Sequence, residues 1–350
     1  MLHVKSGNLK SYWVLATITG ILGFVVSLYF AQIAFNQNSV EKNRLEGFVR
    51  SYDLIQLDAS SFVGDADRPK HLSIVTSEET FRVTLVRRDL RSARYKAEEV
   101  GLDGSTSPVP RDSIVNTYKG SVDGIPDAEA RFTINQSKLE GTISIGYERY
   151  FVEPFLNFNK SANPNDYVIY KASEIIGNEA SWCGVETLSH KIDVATELIS
   201  TQNENLPRAT TDNLVDGAVI EIATEADFEF TTAEGGSIQA NNQILGILNQ
   251  VEGIYETELG ITLSVVYQHT WATSNDPYNT SDPTAALSEF RNYWNSNYAG
   301  ILRDTAHMWT GRQIFVAGVA NVGVICTPSF SYEPVSKVVE LRFSILVRQG

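Results

Sequence analysis

The chain has 350 residues, with 28 Lys and Arg against 42 Asp and Glu, a formal net charge of −14. An acidic chain with no cluster of Lys and Arg repels a phosphate backbone, which argues against nucleic acid as a partner. Hydrophobic residues make up 43% and aromatic ones 10%, enough to bury a core, while two cysteines are too few for a disulfide framework.

No charged residue lies between Lys10 and Glu41, and Tyr12 to Phe35 is apolar over a length that crosses a bilayer core, which takes about 20 residues. His3, Lys5 and Lys10 precede it as in the n-region of an export signal. Residues 1–36 are therefore expected to be a signal peptide or transmembrane anchor. The membrane is met through 12–35 and the remainder is exported, either anchored or secreted.

Over 37–190 the pattern is short alternating runs: FRVTLVRR (81–88), ARFTIN (130–135), GTISIGYERYFVEPF (141–155) and YVIYKAS (167–173). Turn clusters such as GLDGSTSPVP (101–110) and SANPND (161–166) separate them, which predicts a β-rich domain. Residues 191–216 are polar without periodicity and read as a linker. Past it, VIEIATEADFEF (219–230) predicts a strand, on which Glu225, Asp227 and Glu229 alternate along one face as a solvated edge. The run 237–259 places Ile244, Leu245, Leu248, Val251, Ile254 and Tyr255 at helical spacing, and Gly260 stops it. ITLSVVYQHTW (261–271) predicts a strand. Residues 281–298 predict a helix with Ser281 as N-cap and Pro283 in its first turn, and IFVAGVANVGVIC (314–326) an apolar strand pair or strand and turn. Strands alternating with helices make 217–350 an α/β domain.

The chain holds no HExxH, paired CxxC, GxxxxGK[ST] or GxSxG. Its five histidines, His3, His71, His190, His269 and His307, are isolated from one another and read as ordinary surface or core residues. Cys183, in EASWCGVETL (179–188), reads in one way as a small buried hydrophobe and in another as a thiolate, a soft ligand for Zn²⁺.

The run TYKGSVDGIPDAEARFTINQSKLEGTISIGYERYFVEPF (117–155) resembles the propeptide of the reprolysin-like and adamalysin zinc metalloproteases. Tyr118, Gly120, Gly124, Leu139, Gly141, Ile143, Tyr150, Glu153 and Pro154 fit its pattern. Cys183-Gly184-Val185 then stands where that family keeps its cysteine switch, so the resemblance implies Cys183 as the latent-state metal ligand. The later runs are similar to the family's catalytic domain in order. DTAHMWTGR (304–312) followed by VAGVANVGVIC (316–326) resembles a family strand and then the edge strand that pairs with an extended peptide. Under that resemblance Gly318, Val319 and Ala320 bind substrate main chain by strand addition.

The family next carries a helix with HExxHxxGxxH, whose histidines ligate Zn²⁺ and whose Glu activates water. Here FSYEPVSKVVELRFSILVRQG (330–350) begins on that pattern and loses it, and no His flanks Val338-Val339-Glu340. No catalytic residue is assigned, and Zn²⁺, the cofactor of the intact family, is not expected at a catalytic site in this chain. The expected fold is α+β and multi-domain: an N-terminal membrane helix, a β-rich propeptide domain over 37–190, a linker over 191–216, and the upper half of a truncated metzincin-like α/β catalytic domain over 217–350. The expected function is the precursor of a zinc metalloendopeptidase acting on extended peptide or protein substrates, inactive as given. The rival from another class is a non-catalytic exported binding protein, a pseudoprotease or inhibitor acting through the propeptide-like domain.

Overall fold

The computed structural model describes residues 45–62, 68–111, 116–135, 138–176, 217–312, 318–321, 325, 329 and 331–336. The expected membrane segment 12–35, the linker 191–216, Cys183 and Glu340 lie outside the described residues. Among the described residues no helix is long and apolar enough to cross a membrane.

The first ten strands are β1 (Asp53–Gln56), β2 (Lys70–Val75), β3 (Thr80–Arg87), β4 (Arg91–Val100), β5 (Thr106–Pro108), β6 (Thr117–Val122), β7 (Glu129–Ile134), β8 (Leu139–Ile145), β9 (Glu148–Pro154) and β10 (Asp166–Lys171). Eight of them form an antiparallel sheet in the order β1-β10-β9-β8-β7-β6-β3-β2. The run 141–155 is the β8–β9 hairpin, and the period of two is explicit in β3, where Phe81, Val83 and Leu85 are buried. Ile55 from one edge strand and Leu72 and Ile74 from the other share one core cluster, so the sheet curls until its edges approach. The Ser77 hydroxyl of the β2–β3 turn donates to Asp53 of β1 at 3.0 Å.

The second half supplies β11 (Val219–Ala226), α1 (Phe228–Glu234), α2 (Ser237–Leu259), β12 (Thr262–Trp271), α3 (Pro283–Asn297), β13 (Thr305–Thr310) and β14 (Tyr332–Ser336). The sheet order is β14-β13-β11-β12-β4-β5, parallel except for β5. Two strands from the N-terminal half thus complete the second sheet. β4 is pinned beside β12 by ties from Tyr95 to Gln268 (2.7 Å) and Tyr267 to Glu98 (2.5 Å), and beyond it to β11 by Arg94 and Glu221. Helix α2 runs as expected and ends where Gly260 takes a left-handed φ of 66°.

Two expectations change. The run 219–230 is not one strand: β11 stops at Ala226, and the side chain of Asp227 accepts from Phe230 N, capping α1. The N-cap of α3 is Asp282, not Ser281; its carboxyl accepts from Ala285 N at 2.8 Å, and Pro283 takes the first position.

Helix α2 is a layer shared by both sheets. Its Ala240, Ile244, Leu245 and Leu248 pack with Ile222, Leu263 and Val265 of the second sheet. Toward the first sheet, a Cβ at Gly246 would lie 2.7 Å from Thr133 Oγ1, and one at Gly253 2.8 Å from Arg131 Cγ, so two glycines admit the close approach. Between them Asn249 donates to the carbonyls of Tyr118 and Phe132 at 3.1 and 3.2 Å.

Ion pairs close this interface. Arg131 on β7 donates to Glu252 (2.6 Å), Glu129 (2.6 Å) and Glu256. Arg88, just past β3, grips Glu252 by two contacts, and Leu263 N donates to the same carboxyl at 3.0 Å. Burial favours the neutral acid at Glu252, but hydrogen bonds from Arg88 and Leu263 and the charges of Arg88 and Arg131 outweigh it and hold its pKa below the usual range. The same opposition, with Lys119 and Arg131 winning over burial, lowers Glu256.

Candidate functional site

Ligands of parallel sheets gather at the carboxyl ends of the strands. Here those ends are Ala226, Trp271 and Thr310, and the loops beyond them are cross-linked by two buried aspartates. Asp227 accepts from Phe230 N (2.7 Å), Gly311 N (2.9 Å) and the Thr310 hydroxyl. Burial pushes its pKa up to about 6, against the pull of these three donors. Asp276 accepts from Phe228 N (3.1 Å), Tyr278 N (3.0 Å) and the Arg312 guanidinium (2.9 Å), and burial raises it as well. Arg312 also meets Glu229 at 3.2 Å.

Deeper in the sheet, the carboxyl of Glu225 accepts from Trp271 Nε1 (2.7 Å), from the Tyr278 hydroxyl and from Trp294 Nε1. His269 Nδ1 stands 3.5 Å from the same carboxyl, a charge-range approach without hydrogen-bond geometry, and its Nε2 pairs with the Tyr298 hydroxyl at 2.8 Å. Burial, and then the negative charge of Glu225, drives the Tyr278 hydroxyl well above its ordinary pKa, so it stays a donor.

The solvated edge expected for Glu225, Asp227 and Glu229 is therefore wrong. Glu225 and Asp227 are fully buried, and Glu229 belongs to α1. Three aromatic contexts hid Glu225: its polar partners sit 46 to 69 residues away, on two tryptophans and a tyrosine that read as apolar core. The only local hint was the Asp-Phe-Glu-Phe string, which fits an N-cap as well as an alternating strand.

Gly318 forms a β-bridge and is half-buried, as is Ala320, whereas Val319 as a whole residue is only 2% exposed and joins the cluster of Trp271, Tyr278, Phe290 and Trp294. Among the described residues, no three His, Cys, Asp or Glu side chains converge as metal ligands. The described residues do not compose a zinc site.

Residues 241–345 match the family described as Metallo-peptidase family M12B Reprolysin-like. This stretch is reprolysin-like. It takes in most of α2 together with β12, α3, β13, the 318–320 segment and β14. Two curated relatives are similar to the chain, both named Disintegrin and metalloproteinase domain-containing protein 22. The Xenopus laevis protein is 23% identical over 238 residues, covering 66% of this chain and 25% of that protein. The Homo sapiens protein is 22% identical over 293 residues, covering 81% and 31%. The chain thus spans between a quarter and a third of the curated relatives it matches. Among solved structures, metalloproteinase-II from Bacteroides fragilis is similar at 9% identity and a TM-score of 0.37, covering 79% of this chain and 77% of that one.

Proposed function

We propose that the chain is the precursor region of an exported, reprolysin-like zinc metalloendopeptidase. In this reading residues 1–36 carry the export signal or anchor, 37–190 the propeptide-like domain, 191–216 the linker and 217–350 the upper half of the catalytic domain. The reprolysin-like match over 241–345, which takes in α2 from residue 241, β12, α3, β13 and β14, carries it. The backbone of Gly318, Val319 and Ala320 is the binding edge for an extended peptide, held by hydrogen bonds to main chain. Cys183 is the residue that would cap zinc in the latent state of the intact enzyme. These 350 residues, which contain no HExxH, do not hydrolyse peptides. The ion-paired packing of β6 and β7 on α2 supports a propeptide-like role in cis, because that face of the first sheet is already covered by its own chain.

The test is to incubate the purified full chain with fluorescein-labelled casein, with and without zinc. The expected result is measurable binding and no cleavage above a chelator control. Zinc-dependent cleavage abolished by the chelator would overturn the inactivity. Absence of binding, or binding unaffected by Ala320→Pro, which removes an edge N–H, would overturn the strand-addition reading.

A further inference from the structure

The proposed peptide edge uses no atom of Glu225, yet Glu225 binds donors from three separate segments: Trp271 at the end of β12, Tyr278 in the loop after it, and Trp294 on α3. All three rings belong to the buried cluster that receives Val319. We propose that Glu225 is a positioning residue: by tying these rings to β11 it fixes the floor on which Val319 sits, and so the height and register of the Gly318–Ala320 backbone.

Three observations carry this. First, Val319 is anchored while its two neighbours are half-buried, so the segment's position is set through one side chain and whatever that side chain packs against. Second, apolar rings alone slide at little cost, whereas a buried N–H or O–H that leaves its acceptor loses a full hydrogen bond; three such donors on one carboxyl lock the rings' relative placement. Third, the adjoining loop is held in the same direction by Asp276, which takes the backbone N–H of Tyr278 and the guanidinium of Arg312, six residues before Gly318. Main-chain pairing with a peptide weakens steeply once donor and acceptor are misaligned, so the floor decides how well the edge receives a strand. The consequence for peptides rests on the proposed function; the positioning itself does not.

Hydrogen–deuterium exchange on the full chain tests it. Glu225→Gln keeps the shape but sets an amide NH₂ against an indole or phenol donor. The expected result is exchange at the 318–321 amides about tenfold faster than wild type, with the amides of α2, β6 and β7 unchanged. Casein binding should weaken in step. In Glu225→Gln/Trp294→Phe the opposing N–H is gone, and protection at 318–321 should move back toward wild type. If Glu225→Gln does not fold, Tyr278→Phe, which removes one donor and leaves the other ties, should show the same local acceleration at smaller size. Unchanged exchange at 318–321 in a folded variant, or acceleration spread evenly over the second sheet, would overturn the proposal. Failure of the wild-type chain to bind casein would instead remove the proposed function and leave the exchange result to decide the positioning.

Discussion

Among the described residues, Glu225 and Glu252 have no exposed surface, and they are satisfied in opposite ways. Glu252, between the sheets, faces the guanidiniums of Arg88 and Arg131. Glu225, inside the second sheet's layer, faces two indole N–H groups, a phenol and an imidazole. The first is compensated by charge, and each partner removed leaves a buried charge with less compensation in a poorly solvated place. The second is compensated by dipoles spread over several rings, and each indole or phenol donor removed takes a single hydrogen bond. Charge therefore joins the two sheets, while oriented neutral groups surround Glu225.

The largest expected effect breaks the charged side of this contrast. Arg131→Ala should destabilise the chain by about 3–5 kcal/mol in chemical denaturation. The double variant Arg131→Ala/Glu252→Ala should be far less than additive; strict additivity would show that the pair is not coupled.

Acid should separate the two regions next. Glu252 and Glu256 have lowered folded pKa values, so their contribution is complete above the ordinary value of 4.5 and is lost as the pH falls through the lowered ones. Asp227, in the site, has the opposite sign. Its folded value is raised from 3.8 to about 6, so stability present below 3.8 is lost as pH rises through 6, a change of about 3 kcal/mol. Wild type and Asp227→Asn, compared by urea unfolding from pH 3.5 to 7.5, should differ in slope across that window; parallel curves would contradict it.

Gly246→Ala probes the steric side of the docking face. With Thr133 Oγ1 only 2.7 Å from the new Cβ, a loss of about 1–3 kcal/mol is expected, and a thermal melt equal to wild type would show that Thr133 rotates away freely. Smallest is Lys119→Ala. The Lys119–Glu256 pair is 3.1 Å long but more than a third exposed at each end, so a change below about 1 kcal/mol, erased by salt, is expected.

The sequence foretold elements better than their company. Helix α2 was legible from end to end because its apolar spacing and Gly260 act locally. That it is buried on two sides was not, because Asn249, Glu252 and Gly253 carry no sign of the sheet they meet. The strands of the first sheet showed their period of two, but nothing in RSARYKAEEV marks β4 as a member of the other sheet. Asp227 and Glu225 were misjudged for the same reason: carboxyls in an alternating string look solvated until distant tryptophans and a backbone turn supply their donors. Gly318, Val319 and Ala320 came from a family resemblance, and only the fold shows Val319 turned inward.

β4 also sets a timetable. Its partner β12 lies some 170 residues further along the chain. At ordinary rates of synthesis the strand waits about 10 to 30 s on the ribosome before β12 emerges. Half of its ten residues are charged, Arg91, Arg94, Lys96, Glu98 and Glu99, which is the composition that keeps an unpaired edge from finding strangers. The N-terminal half is thus translated with a place held open in it, and the protein becomes whole only when the second half arrives to take that place.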